Sequence, residues 1–329
     1  MKRHGHKYEE VMTLDNVVKA FDAHNKPRPV CERIPATPEL AAAVLDMMQT
    51  DFAACIGRPI SFHVDEYGHD RAIEMPRTPL ASIAMLAVWN VCGPIIENHI
   101  HENSFSSRKG KGQHVYAKKV ERFVHTHHGD IAKYCLYFDL SGYYMSIVKS
   151  IVIDRLEGIF KDARIIRLFE QILYSTPQGL PIGYPFSHAL ANLYVAPLYC
   201  LVRAIRGITA GYVNMDNHHF FAARIAPLKR LKSSAMKYFA GVGCEIKDDW
   251  QIFPTAARAI KAGGLAISTK GTRLYRGTWH RTMRTFDRLT QRFDLHDYLG
   301  MMSRLGLLDL CGRRYAPVFK YEGGYIWQK

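Results

Sequence analysis

The stretch Gly211-Tyr212-Val213-Asn214-Met215-Asp216-Asn217-His218-His219-Phe220-Phe221 constrains this chain most. Two strand-like runs are joined through Asn, Asp and Asn, residues that tolerate tight turns. The pattern predicts a hairpin with an acid at its bend. A plain surface turn would explain these residues taken alone. Their company asks for more, because Cys135-Leu136-Tyr137-Phe138-Asp139-Leu140 reads as a buried strand that ends in an acid. An acid at a strand end and a second at a hairpin bend make a two-strand acidic site, which can hold hard divalent cations through carboxylate oxygens. Two Mg²⁺ ions about 3.5–4 Å apart can stabilise both the attacking and the leaving oxygen of phosphoryl transfer.

Charge points the same way. Lys and Arg number 44 against 30 Asp and Glu, a net +14, which suits a polyanionic partner. The cations cluster. Arg108, Lys109 and Lys111 lie in a Ser/Gly-rich loop over 103–112, and Lys118, Lys119 and Arg122 lie in the helix expected after it. Phosphate-backbone contact is one reading of that cluster, a solvated loop and helix the other. A basic chain around an acidic metal site is the electrostatic layout of a nucleotidyltransferase.

Other classes are excluded. The seven Cys are odd in number, widely spaced and without a C-x-x-C, so reduced thiols are expected rather than disulfides or zinc clusters. His125, His127 and His128 lack a Cys/His partner pattern for zinc. No apolar run reads as long enough to span a membrane, and the basic N-terminus lacks a signal core, so a cytoplasmic protein with no membrane partner is expected. The length, 329 residues, suits one large domain or two to three subdomains.

Periodicity predicts helices over 8–24, 38–55, 78–97, 114–125, 145–153, 164–174, 188–205, 227–240 and 278–310. Strands are expected at 60–64 and 71–75, paired through a turn at 67–70, and at 135–140, 244–246, 251–253 and 264–268. Residues 25–38, 103–112 and 178–187 read as loops.

Six blocks then carry a resemblance. They are Asp70-Arg71-Ala72-Ile73 with Pro76; Asn103-Ser104-Phe105 through Gly110-Lys111-Gly112-Gln113-His114; Phe138-Asp139-Leu140-Ser141-Gly142-Tyr143-Tyr144; Gln178-Gly179-Leu180-Pro181-Ile182-Gly183 with Ser187 and Ala191-Asn192-Leu193-Tyr194; Asn214-Met215-Asp216-Asn217; and Gly243-Cys244-Glu245-Ile246-Lys247. Their order over residues 68–275 resembles that of bacterial and phage reverse transcriptases. They stand for the fingers segment, a Ser-Tyr/Phe-x-x-Arg-x-Gly-Lys-Gly-x-His block and motifs A, B, C and D, with Gly263-Gly264 at motif E. The second block is similar to that of diversity-generating retroelement enzymes and related stand-alone bacterial enzymes.

The resemblance implies an α+β right-hand polymerase. Residues 1–67 would form an N-terminal helical extension and the start of the fingers, 68–130 the fingers, 131–275 a palm with an antiparallel sheet (148–190 partly packing with the fingers), and 276–329 a short helical thumb with no further domain. It implies two Mg²⁺ ions, with Mn²⁺ the alternative, held by Asp139, Asp216, the Leu140 backbone and Asn217, with Lys247 as a catalytic proton donor. Arg71, Tyr144, Ile182, Gly183 and Ser187 would contact a dNTP, the Tyr144 ring rejecting a ribose hydroxyl. Arg108, Lys109, Lys111, Lys118, Lys119, Gly263 and Gly264 would contact nucleic acid, as RNA template or non-coding RNA and DNA product. His218 and His219 would be packing or template contacts.

The chain departs from the family where it matters most. The usual motif C is Tyr/Phe-x-Asp-Asp, and here Asn214 and Asn217 replace the aromatic and the second Asp. Asn retains a carbonyl oxygen but loses a charge, so metal affinity should fall without being abolished. The expected function is therefore an RNA-directed DNA polymerase in antiphage defence, making repetitive or unconventionally templated DNA. The alternatives are a degenerate nucleic-acid-binding subunit that serves a second polymerase, and the enzyme of a diversity-generating retroelement. An accessory protein or second polymerase, and a homo- or hetero-oligomer, are the implied partners.

Overall fold

The computed structural model describes residues 3–65, 70–291, 297, 298, 300–302, 304, 316–320 and 324–328. The turn expected at 67–70 falls largely outside these residues, as does most of 292–310. In chain order the helices and strands are α1 (Lys7–Val11), α2 (Leu14–Asn25), α3 (Pro38–Thr50), α4 (Phe52–Ile56), β1 (Ile60–Asp65), β2 (Asp70–Met75), α5 (Pro79–Glu97), α6 (Gln113–His127), β3 (Tyr134–Phe138), α7 (Tyr143–Ser146), α8 (Lys149–Ile159), α9 (Ala163–Tyr174), α10 (Ser187–Val195), α11 (Leu198–Ala204), β4 (Ile208–Asn214), β5 (Asn217–Ala222), α12 (Ile225–Gly241), β6 (Gln251–Pro254), β7 (Ile260–Ala262), β8 (Leu265–Ser268), β9 (Gly271–Leu274), α13 (Arg276–Gln291), β10 (Ala316–Lys320) and β11 (Gly324–Gln328). Among the described residues these strands pair antiparallel.

Local chemistry divides several runs that periodicity reads as single helices. After α1, Thr13 caps α2, its side chain accepting from the Asn16 N–H at 3.3 Å. Asp51 does the same between α3 and α4, accepting from Ala54 N–H at 3.0 Å. Pro197 stands between α10 and α11, where its missing N–H and fixed ring cannot continue a helix. After α13 the chain forms the β10–β11 pair, where only helix was expected. The alternating aromatic and β-branched residues around Gly323-Gly324 account for it.

The chain divides into two compact units, each assembled from three segments: Met1–Glu102, Leu140–Leu201 and Ala235–Lys247 in the first, and Asn103–Asp139, Val202–Ser234 and Asp248–Lys329 in the second. In the first, α5 is the central helix and packs against α1, α2, α3, α4, α8 and α10. Asn16 ties α2 to it by donating to Ala87 O at 2.8 Å. Contrary to the sequence expectation, α5 is long and apolar enough to cross a membrane by length and composition, with 19 residues and a mean hydropathy of 1.7; half of that window is buried within the protein.

The second unit is built on a four-stranded sheet of order β4-β5-β3-β6. One face carries Cys135, Tyr212 and Phe221 and is covered by Tyr116, Ala117, Val120 and Val124 of α6 and by Ile260, Leu265 and Ile267 of the β7-β8-β9 sheet. The buried positions of α6 recur at helical spacing, so its opposite face is left to Lys118, Lys119 and Arg122.

Candidate active site

The two acids singled out by the sequence are brought to the same end of this sheet. β3 pairs with β5 so that Phe138 lies opposite His218. One further step along that register sets Asp139 across from Asn217, with Asp216 the next residue. β4 and β5 close with Asn214 paired to Asn217, which leaves Met215 and Asp216 as a two-residue turn. Met215 takes φ +62°, a left-handed conformation usually given to Gly in such turns. Burial of its side chain, 8% exposed, holds it there. Asp139, Asp216 and Asn217 are all half-buried.

Asn217 is turned inward. Its Nδ2 donates to Asp216 Oδ1 at 3.1 Å, and its Oδ1 accepts from the Tyr137 hydroxyl at 3.3 Å. The amide thus offers Asp216 a hydrogen-bond donor, where the expected metal-ligand role needs its oxygen. Among the described residues, no group of three or more His, Cys, Asp or Glu side chains is placed to hold a metal. Two half-buried carboxylates remain, hard oxygen donors that suit Mg²⁺ or Mn²⁺ but supply fewer charges than a third acid would give. The donor set therefore fits a divalent ion at Asp139 and Asp216, with Asn217 as a neutral neighbour.

The turn is held from beneath by two histidines. His218 is fully buried and stacks on Phe138, ring centroids 4.6 Å apart at 15°. Its Nδ1 donates to the backbone carbonyl of Asp216 at 2.8 Å, and since a carbonyl only accepts, that nitrogen carries the proton. Burial pushes its pKa down to about 4. His219, on the other face, accepts from the Tyr116 hydroxyl at 2.5 Å, and burial followed by the neighbouring His218 lowers its pKa to about 3. Both are packing residues, and their burial rules out the template-contact reading. Burial, and then Asp139, Asp249 and Asp216, raise the pKa of the Tyr137 hydroxyl, which keeps it a neutral donor to Asn217. Tyr137 and Asp249 were not singled out from the sequence. Tyr137 sits in an ordinary strand pattern, and Asp249 lies 33 residues beyond Asp216 in the loop before β6, so no local spacing connects them to the acids.

The Ser/Gly-rich loop docks beside this turn. Val213 N–H donates to Asn103 O at 2.9 Å and Phe105 N–H to Val213 O at 3.0 Å, which adds the loop to the edge of β4. Arg108 donates to Ser104 O at 2.9 Å and Gly112 N–H to Phe105 O at 2.8 Å, closing the loop on itself. Lys109 is exposed, while Arg108 and Lys111 are half-buried. Gly263 and Gly264 form the β7–β8 turn, both at positive φ. A Cβ at Gly263 would stand 2.7 Å from Gln113 O, so the close approach that demands glycine here is to the start of α6.

The residues expected to contact a nucleotide lie in the first unit. Gly183 N–H donates to Glu74 O at 3.0 Å and Leu180 N–H to Tyr144 O at 2.9 Å, so the 178–183 loop joins the strand that bears Arg71 to the helix that bears Tyr144. A Cβ at Gly183 would meet Glu74 O at 2.6 Å, which gives the glycine a packing reason within the protein. Tyr144 is half-buried, and its hydroxyl is bonded to His188 Nδ1. Ile182 is half-buried and Arg71 is exposed. Ser187, expected at the nucleotide, is fully buried at the start of α10, because the tight 183–187 turn packs it inward. Leu140 pairs with Ile246, and Ser141 N–H donates to Glu245 O at 2.9 Å, which brings the residue after Asp139 to the segment that ends in exposed Lys247.

No protein-family model matches the sequence, and no curated protein matches it either. Solved structures do. Apo telomerase from Candida tropicalis is similar at TM-score 0.54 and 13% identity, over 72% of this chain and 52% of that one. Telomerase from Candida tropicalis with the TWJ fragment of telomeric RNA is similar at 0.51 and 12%, over 83% and 58%. Telomerase from Candida albicans with the TWJ fragment is similar at 0.50 and 11%, over 78% and 54%. The fold is a right-hand polymerase of reverse-transcriptase type. The chain spans little more than half the length of the telomerases it matches, and at such identity the likeness is one of fold.

Proposed function

We propose that this chain is an RNA-directed DNA polymerase whose reaction centre is the Asp139–Asp216 pair. The observation that carries the reading is the β3–β5 register, which sets two half-buried carboxylates at one end of an antiparallel sheet in a right-hand polymerase fold. Bound divalent ions would supply charge stabilisation for the attacking and leaving oxygens of phosphoryl transfer. Asp139 and Asp216 would hold them, while His218 fixes the Asp216 backbone and Tyr137 fixes the Asn217 amide. The roles that the resemblance implies for Arg71, Gly183 and Lys247 are to offset triphosphate charge and admit the nucleotide, and for Tyr144 to exclude a ribose hydroxyl. Dependence on a nucleic-acid template and on dNTPs belongs to the same reading, as does the stand-alone bacterial type used in antiphage defence or a retroelement.

One observation favours a second reading. Asn217 gives Asp216 a hydrogen bond where a third carboxylate would draw a metal ion, so a copy that binds nucleic acid and supports another polymerase is the rival. Incubation of the purified chain, with and without copurifying RNA, with each labelled dNTP and Mg²⁺ separates the two. Incorporation that disappears in Asp139→Ala and in Asp216→Ala establishes the polymerase, and a Tyr144→Ala variant should then accept ribonucleotides. Absence of incorporation under all these conditions, with nucleic-acid binding intact, establishes the rival.

A further inference from the structure

We propose that the outer face of α6 is a docking track for the phosphodiester backbone of a nucleic-acid strand. This deepens the nucleic-acid-binding part of the reading above and does not depend on catalysis.

The face forms an open groove of about 630 Å³, lined among others by Val115, Lys118, Lys119, Arg122 and His125. These positions recur three and four residues apart, so they lie on one side of the helix. The opposite side is anchored on the sheet by Tyr116, Ala117, Val120 and Val124. The track is therefore rigid, and at about 1.5 Å per residue the 15 residues of α6 run for about 22 Å. Its far end is pinned where His125 Nε2 donates to Ser268 O at 2.8 Å. Exposed Lys109 continues the charge beyond its start.

The clustering of cations on one helix face points to a polyanionic occupant. Some exposed cations in the first unit are matched by acids, namely Lys19 with Asp15 at 2.5 Å, and Arg164 with Glu9 at 2.5 Å and Asp162 at 2.9 Å. Among the described residues, no ion pair matches Lys118, Lys119 or Arg122, although Glu121 lies in the same groove. Lys118 and Arg122 stand one turn apart, an arrangement of like charges that weakens a helix unless an anion lies across them. Adjacent phosphates of one strand supply such an anion as a line of charge, which fits a straight row of cations better than the irregular carboxylates of an acidic peptide do.

The test uses the full chain carrying K118A, K119A and R122A together, with a fluorescein-labelled single-stranded RNA bound across a salt series. Alanine is a strong helix former and these side chains are exposed, and a thermal melt checks that the fold is kept. Loss of three phosphate contacts should lower affinity at least tenfold at low salt. It should also reduce the slope of log K against log salt by about 2, at about 0.7 per contact on a single strand. The single variants K118A, K119A and R122A should each reduce the slope by about 0.7, and cover the case of a triple variant that does not fold. D139A should keep the wild-type slope, so a failure of the polymerase reading leaves this result standing. A slope unchanged in the triple variant overturns the proposal. So does competition by poly-glutamate as strong as that by RNA at equal anionic charge, which would mark a site for an acidic peptide.

Discussion

The β4–β5 turn and the outer face of α6 both carry charge within one compact unit, yet they are built in opposite ways. Asp216 is half-buried in a turn whose neighbour takes a left-handed φ, its carboxylate accepts from Asn217, which in turn accepts from Tyr137, and its carbonyl accepts from His218. Lys118, Lys119 and Arg122 stand on regular helix, exposed, with no ion pair among the described residues. The first arrangement holds a few atoms to a fixed position, which suits chemistry. The second leaves charges free to follow a flexible polyanion, which suits binding without fixed register.

The largest effect should separate the two regions outright. Asp139→Ala or Asp216→Ala should cost about 10³-fold or more in dNTP incorporation, a few kcal/mol of transition-state stabilisation. RNA affinity measured by anisotropy should stay within about twofold, and a joint loss would show that the regions are one site.

The buried histidines give the next effect, confined to the turn. His218 and His219 have folded pKa values of about 4 and about 3 against an ordinary 6.5. Above pH 6.5 both are neutral folded and unfolded, and their environment costs nothing. As pH falls below 6.5 the unfolded chain takes up protons that the folded chain refuses, so stability should drop down to about pH 4 for His218 and about pH 3 for His219. The slope is about 1.4 kcal/mol per pH unit per group. Urea unfolding at pH 7 and pH 5 without divalent metal measures it, and His218→Phe should remove the His218 share. The same variant keeps the ring stack but leaves the Asp216 carbonyl without its donor, so kcat should fall about tenfold with RNA affinity unchanged.

A smaller effect sharpens the comparison from within the turn. Asn217→Asp replaces a neutral donor by a third carboxylate, and the Mg²⁺ concentration for half-maximal incorporation should fall about tenfold. An unchanged requirement would show that residue 217 stays bonded to Tyr137 and does not reach the metal.

Residues with strong local signatures were legible in advance. The hairpin at 208–222 follows from Asn and Asp between β-forming runs, β3 from its unbroken apolar run, and α6 from a stripe at helical spacing. The orientation of Asn217 had no such signature, because an amide can face a metal or a neighbouring carboxylate with equal ease until Tyr137 is in place. Two adjacent histidines read as polar, and only the register of β5 between β3 and β4 buries both. Ser187 looked like a loop residue facing ligand, and the packing at the start of α10 turned it inward.

The sequence by itself determined the two acids, the turn that bears one of them, the excess of positive charge and the amphipathic helix that displays part of it, because each depends on residue type and short-range spacing. Tertiary structure alone decided that Asp139 and Asp216, far apart along the chain, share one end of a sheet, and that Asn217 turns its donor toward Asp216. It also decided that the cations of α6 form no ion pair among the described residues. Those outcomes depend on strand register and on which groups compete for each hydrogen bond, and both are settled only when distant segments pack together.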